Sequence, residues 1–402
     1  MEIEEAVKLI SNEAVPVTDT VTAPLCDVSG LVLANDITAK EPVPAFARSA
    51  MDGYAVKACE VTDASKERPV RLNVIGEILA GDSDRGRLSH IPSSAVRVMT
   101  GGMIPDGYDA VVRQEDTDLG EDAVEIYAPV SSHMNYCPVG EEIQRGETVL
   151  CAGRRIGRVE IGILAALGIN EVTVRRPARV AVISTGSELV SPGEELQQGK
   201  IYGSIRYMLE TSVKQESLDI IYSVDCADDV DLITEHIVKA AKRADVIITT
   251  GGVSVGKRDL LPAVLRDLGA RILFSGVSIQ PGTPTMASVY QDKIILSLSG
   301  NPYAALANFD LYFPVIVSGL MGSDSYLPRI REAVLKEPYD KVNRMRRLVR
   351  AFVERGEVYL PADSHKSSVF GNMDRCNCYM DIPAGTKLSV GDKVRIREIR
   401  YR

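Results

Sequence analysis

The chain contains no tryptophan, and aromatic residues make up only 5% of its 402 positions. That scarcity argues against a stacking platform for single-stranded nucleic acid. Positive charge is also in deficit: 46 Lys and Arg against 55 Asp and Glu leave a formal net charge of −9. No nucleic-acid partner is expected, because neutralising a phosphate backbone takes a basic surface. The longest unbroken apolar stretches, such as residues 161–169, are far shorter than the roughly 18 residues that cross a bilayer. No membrane association is expected either. The opening residues, Met1 to Glu5, place no basic segment ahead of an apolar one, so the expected location is cytoplasmic. Zinc-ligand spacing is missing as well. The seven cysteines form no CxxC, and the close pair Cys376 and Cys378 has no histidine or second pair at ligand spacing. Reduced thiols are the expectation.

What is present is ordinary for a globular protein: 45% apolar and 25% charged residues. At about 150 residues per domain, the length implies two to four domains. Residues 3–11 carry Ile3, Val7 and Ile10 at helical spacing. Between Pro42 and Val149 short strands dominate, at 70–75, 96–99, 109–112 and 123–127, with turn residues between them. Residues 154–168 read as a helix that Gly168 can end.

The texture then alternates. Strands are expected at 179–184, 218–224, 246–250 and 293–298, and helices at 204–217, 229–243, 259–268 and 302–319. Strands that are apolar throughout and alternate with helices indicate a parallel sheet covered on both faces. Past Pro328 short strands return, at 347–353, 357–360 and 392–397, as a small β module.

Ligands of open α/β sheets bind beyond the carboxyl ends of the strands. Three polar turns fall there: Ser184-Thr-Gly-Ser-Glu-Leu189, Gly251-Gly-Val-Ser-Val-Gly256 and Gly300-Asn-Pro302. Glycines let backbone N–H groups turn toward one anion, and a following helix N-terminus adds partial positive charge. Residues 251–257 also match the start of a P-loop, but Arg258 stands where the Mg²⁺-binding Ser or Thr belongs. Each feature has a bland reading beside it: a chain-reversing turn for the glycines, a helix cap for Asp259 or Asn301, a solvated loop carboxylate for Glu188, and a β-turn for Asp52-Gly53. Two carboxylates beside anion-binding turns at one sheet edge fit Mg²⁺-assisted phosphoryl or nucleotidyl chemistry.

Taken together, the motifs resemble one family, the molybdopterin molybdenumtransferases (MoeA, and the E domain of gephyrin). The matching segments run in order: Ser49-Ala-Met-Asp-Gly-Tyr-Ala55, Met99-Thr-Gly-Gly-Met-Ile-Pro105, Ser184 to Leu189, Gly251 to Gly256 with Asp259, Pro281-Gly-Thr-Pro284, and Gly300 to Pro302. The resemblance implies insertion of molybdate or tungstate into adenylylated molybdopterin, with Mg²⁺ and release of AMP. It implies an elongated linking domain (1–45 and 140–175), an inserted β-rich domain (46–139), a three-layer α/β/α pterin-binding domain (176–325) and a C-terminal β-barrel (326–402). It also implies a homodimer with shared clefts, and a contact with the molybdopterin adenylyltransferase is a further possibility.

Carried over residue by residue, the catalytic positions are Asp52, Thr100, Glu142, Glu188, Asp228 and Asp259, with Glu188, Asp228 and Asp259 as metal ligands. The substrate-binding positions are Ser184, Thr185, Gly186, Gly251, Gly252, Ser254, Gly256, Gly300, Asn301 and Pro302.

The sequence departs from the family pattern at several positions. Gln280 and Thr283 replace usual lysines, and Cys137 a usual arginine. Ile205 replaces Asn, Glu142 replaces Asp, and Ser299 replaces Pro. Lys257, Arg258 and Arg206 are candidates to restore the lost positive charge. Those losses leave a second reading, a weakly catalytic paralogue that holds pterin or nucleotide.

Overall fold

The computed structural model describes residues 1–83, 86–253, 260–361 and 369–399. The chain divides into two compact units. One comprises Met1–Ala34, Gly153–Gly157 and Val172–Arg402; the other comprises Asn35–Ala152 and Arg158–Glu171.

The smaller unit is built on a five-stranded sheet in the order Ala110–Arg113, Gly53–Val56, Ser94–Val98, Val70–Ile78, Ala123–Ile126. Side chains alternate across a strand, and here both faces are covered. Tyr54, Val56, Leu72, Ala95 and Val112 pack on one side, and Ala55, Val96, Val98 and Val111 on the other. The helix Arg158–Ala166 belongs to this unit. It starts later than its sequence pattern predicts, at 158 and not 154. The backbone of the preceding residues is already committed: Ile156 and Arg154 carbonyls accept from Gly30 N–H (2.8 Å) and Leu33 N–H (2.9 Å). A backbone held in extended pairing cannot also close helical rings.

The larger unit contains a six-stranded sheet in the order Asp219–Cys226, Arg179–Thr185, Val246–Thr250, Lys293–Leu298, Met286–Tyr290, Arg271–Ser275. The first four strands run parallel, as their apolar character predicts. Met286–Tyr290 runs antiparallel to both its neighbours, Lys293–Leu298 and Arg271–Ser275, so the sheet is mixed and not purely parallel. The antiparallel return needs no crossover helix, because Gln291 and Asp292, both at positive φ, join two strands as a tight hairpin. Helices Ile205–Gln215 and Pro302–Met321 cover one face, Val230–Ala241 and Leu261–Asp267 the other.

The 20-residue helix Pro302–Met321 is long and apolar enough to span a membrane by composition, although no unbroken apolar run in the sequence has that length. Its apolar surface is spent inside the unit: Phe309, Tyr312, Phe313, Ile316 and Val317 are buried with the N-terminal helix Ile3–Glu13, through Ile3, Ala6 and Ile10. A helix apolar all round belongs in a core as readily as in lipid.

The C-terminal strands Arg346–Glu354, Glu357–Tyr359, Ile330–Leu335, Lys393–Glu398 and Cys378–Ile382 pair in that order, and the last pairs again with the first. This closes a five-stranded barrel and removes its free edges. Its strand Arg346–Glu354 is tied to the start of the long helix. Tyr303 donates to the Leu348 carbonyl (2.8 Å) and accepts from Arg350 N–H (3.1 Å). The Arg350 guanidinium lies 4.3 Å from the Tyr303 ring centroid and donates to the Val369 carbonyl.

Candidate functional site

The strand Arg179–Thr185 comes first in the chain but lies between Asp219–Cys226 and Val246–Thr250. The chain therefore departs in opposite directions from this central strand, which opens a crevice at its carboxyl end. A cavity of about 370 Å³ lies there. Ser184, Thr185, Gly186, Glu188, Asp228, Gly251, Gly252, Gly300 and Pro302 all line it. Nine of the positions singled out in the sequence thus meet at one place. Asn301 stands beside them as the cap of the long helix, accepting from Ala304 N–H at 3.0 Å. Ser254, Gly256 and Asp259, with the candidate cations Lys257 and Arg258, lie outside the described residues.

The turns have their shape for identifiable reasons. Gly251 sits at φ +85°, and a Cβ there would lie 2.2 Å from the Thr185 carbonyl oxygen, so no other residue fits. The Thr250 hydroxyl donates to that of Ser184 (3.1 Å), joining the ends of two neighbouring strands. The Thr185 hydroxyl is buried without a hydrogen-bond partner among the described residues. A buried orphan of this kind ordinarily finds a ligand or water.

Ser187 and Asp228 bond reciprocally: Ser187 N–H donates to the Asp228 carboxylate, and Asp228 N–H to the Ser187 hydroxyl, both at 3.1 Å. This pair, which the sequence reading passed over, fixes the Asp228 carboxylate at the cavity wall. The Glu188 carboxylate folds back over Gly186, where an added Cβ would come within 3.0 Å of both its oxygens. The segment after it returns as a short ladder, Leu189–Val190 against Ile201–Tyr202. Ile201 and Tyr202, the Ile-Tyr pair that precedes the departure at Ile205 but was not among the expected site residues, complete the cavity wall. Their sequence signal was an apolar pair in an otherwise polar, glycine-rich stretch, matching an Ile-Tyr motif of the family pattern.

The missing positive charge is not replaced by Arg206. Its guanidinium donates to Asp225 (2.9 Å), Glu210 (2.9 Å) and the Tyr207 hydroxyl (2.9 Å) and stacks on the Tyr207 ring. Burial opposes its charge, but the Asp225 and Glu210 carboxylates hold its pKa above the ordinary arginine value. Gln280 and Thr283 are exposed, and Gln280 is in register with Arg347 of the barrel.

In the smaller unit, Asp52 ends the bend that precedes the strand Gly53–Val56. Thr100 donates to the same Asp52 carboxylate oxygen twice, from N–H and from the hydroxyl, at 2.7 Å each. These bonds, the backbone one foremost, hold the Asp52 pKa below the usual carboxylate value. Cys137 pairs across from Arg48 on a short two-stranded ladder, and burial raises its thiol pKa. Glu142 is exposed, on a separate turn where its N–H donates to the Val43 carbonyl at 3.0 Å. The structure therefore presents two groups in two units: Asp52 with Thr100, and Glu188 with Asp228 around the cavity.

The fold and the cavity define a multidomain α/β protein with a glycine-lined cavity at a topological switch point. Comparison narrows this. Residues 1–168 match the family model for the MoeA N-terminal region (domains I and II), 181–317 the probable molybdopterin binding domain, and 332–398 the MoeA C-terminal region (domain IV). The chain is 36% identical over 389 residues to a molybdopterin molybdenumtransferase of Staphylococcus epidermidis, covering 96% of this chain and 92% of that one. It is 36% identical over 362 residues to the Bacillus subtilis molybdopterin molybdenumtransferase, covering 88% and 84%. The crystal structure of the molybdopterin biosynthesis MoeA protein from Pyrococcus horikoshii superposes with a TM-score of 0.85 at 28% identity over 99% of both chains. The chain belongs to the MoeA family.

Proposed function

We infer that this protein is a molybdopterin molybdenumtransferase: it inserts the metal in molybdenum cofactor biosynthesis, taking adenylylated molybdopterin and an oxyanion, molybdate or tungstate, and releasing AMP. The observation that carries this reading is the single cavity at the strand ends. It joins glycine turns suited to a phosphate with two carboxylates and an orphaned hydroxyl. Full-length relatedness to named enzymes supports turnover over the binding-only paralogue.

Magnesium fits the donors present. It takes oxygen ligands, commonly one or two carboxylates together with substrate phosphates. Among the described residues no cluster of three or more metal-binding side chains exists, but Glu188 and Asp228 both face the cavity. They would hold the ion with the substrate, and Asp259 is the third candidate from the family pattern. When bound, Mg²⁺ neutralises charge on the phosphoanhydride. The chain's own residues do the rest. Gly251, Gly252 and the Gly300–Pro302 turn bind and orient the anionic end, and the Thr185 hydroxyl donates to it. Ser187 keeps Asp228 aimed. Asp52, ionised at neutral pH, accepts a hydrogen bond from water; its low pKa makes it a poor general acid.

The domain limits inferred from the sequence, the homodimer with shared clefts and a cytoplasmic location belong to the same reading, supported by family membership. So does a passing contact with the adenylyltransferase that supplies the substrate. The decisive experiment incubates purified protein with adenylylated molybdopterin, Mg²⁺ and molybdate or tungstate, and measures AMP. Absence of AMP with either metal would overturn the assignment.

A further inference from the structure

The cavity has a polar end and an apolar wall, and the wall is the part the glycine turns do not explain. Tyr202 is the only aromatic residue among the described cavity-lining residues. It is 45% exposed, and its neighbour Ile201 55%, in a protein that buries most of its large side chains. The ring is nonetheless held at both ends. Its backbone is in the ladder with Leu189–Val190, and its hydroxyl donates to the Glu194 carbonyl at 2.9 Å. The ladder itself is closed by Ile201 N–H donating to the Glu188 carbonyl (2.9 Å) and Lys200 Nζ to the Ser187 carbonyl (2.6 Å). Tyr207, the other half-exposed tyrosine nearby, carries the Arg206 guanidinium 4.4 Å from its ring centroid. No guanidinium or ring among the described residues covers Tyr202 in that way.

A preorganised aromatic face at the rim of a phosphate-binding cavity recognises a flat heterocycle attached to an anion. We propose that the Tyr202 ring is the stacking face for the fused-ring end of the substrate, pterin or adenine, and so determines which phosphoesters the cavity retains. This rests on the substrate class inferred above. Ile201 supplies apolar surface beside the ring, and the carboxylates stay with the phosphates.

Calorimetric titration of the whole protein with AMP, pterin-6-carboxylate and ribose 5-phosphate tests it, using wild type, Tyr202→Ala and Tyr202→Phe. Stacking on one aromatic ring gives roughly a ten-fold change in affinity. Tyr202→Ala is expected to lose about that factor for one ring-bearing ligand, which then identifies the stacked ring. Tyr202→Phe keeps the ring and stays within about two-fold of wild type, and ribose 5-phosphate affinity is the same in all three. Wild-type binding of AMP or the pterin with no loss in Tyr202→Ala overturns the stacking face alone. An equal loss for ribose 5-phosphate makes the residue structural and also overturns it. Failure of wild type to bind any of the three removes the substrate class, and the stacking face with it.

Discussion

Two side chains carry opposite lessons about polar groups. The Thr185 hydroxyl is buried at the cavity without a partner among the described residues. Leaving such a group unsatisfied costs about 1–3 kcal/mol, and removing it by an isosteric apolar replacement is close to neutral or stabilising. Thr185→Val is therefore expected to unfold at the same temperature as wild type or slightly higher, with weaker AMP binding. A melt and a titration on one preparation check both. The Asp52 carboxylate is the reverse case, oversupplied with donors by Thr100. Its lowered pKa keeps it ionised down to more acidic pH, so the acid limb of the activity profile falls at low pH. Thr100→Val removes the hydroxyl bond and keeps the stronger backbone bond. The limb should move toward neutral pH, but only part of the way, in a pH–rate profile of AMP release.

At the scale of elements, the long helix Pro302–Met321 is the most instructive. Asp310 lies on it and accepts from the Tyr379 hydroxyl of the barrel at 2.7 Å. Burial pushes its carboxyl up to about 7, against the partial opposition of that bond. The folded state then holds a proton that the unfolded state releases near pH 4, so stability declines as pH rises from the unfolded value toward about 7 and levels off above it. Asp310→Asn should flatten that decline, seen as a smaller difference in Tm between pH 5 and pH 7.5 than wild type shows. The helix runs past the expected end at Gly319 to Met321 and its cap Gly322, but its start was legible in sequence, at Pro302 behind an Asn cap. So were the parallel strands, whose continuous apolar runs admit no other placement. Met286–Tyr290 and Arg271–Ser275 were not, because their alternation is weak and the hairpin at Gln291 and Asp292, from Met286–Tyr290 into Lys293–Leu298, lacks glycine. The site divides the same way. Glycine turns announce themselves by composition, whereas the Ser187–Asp228 reciprocity and the Arg206–Asp225 ion pair depend on contacts between residues 41 and 19 positions apart. No local pattern encodes those.

At the scale of the whole molecule, the inferred dimer makes a quantitative prediction. If Asp52 of one subunit serves the cavity of the other, Asp52→Ala and Glu188→Ala are each inactive alone but complement when mixed. One cleft of every heterodimer then carries both lesions and the other neither. Random exchange in a two-fold dimer restores about a quarter of all clefts. AMP release after verified subunit exchange should recover to near that fraction, and no recovery would place each site within one chain. The Tyr303 tie to the barrel has a bearing on how such proteins can recombine. The residue just past the Gly300–Pro302 turn takes both its polar partners, the Leu348 carbonyl and the Arg350 N–H, from a strand of another module. A gene fusion that transplanted the α/β segment onto a foreign C-terminal module would keep every cavity-lining residue yet strand that hydroxyl in a dry interior. Inherited as separate pieces the two modules would be mismatched, so they are constrained to vary together.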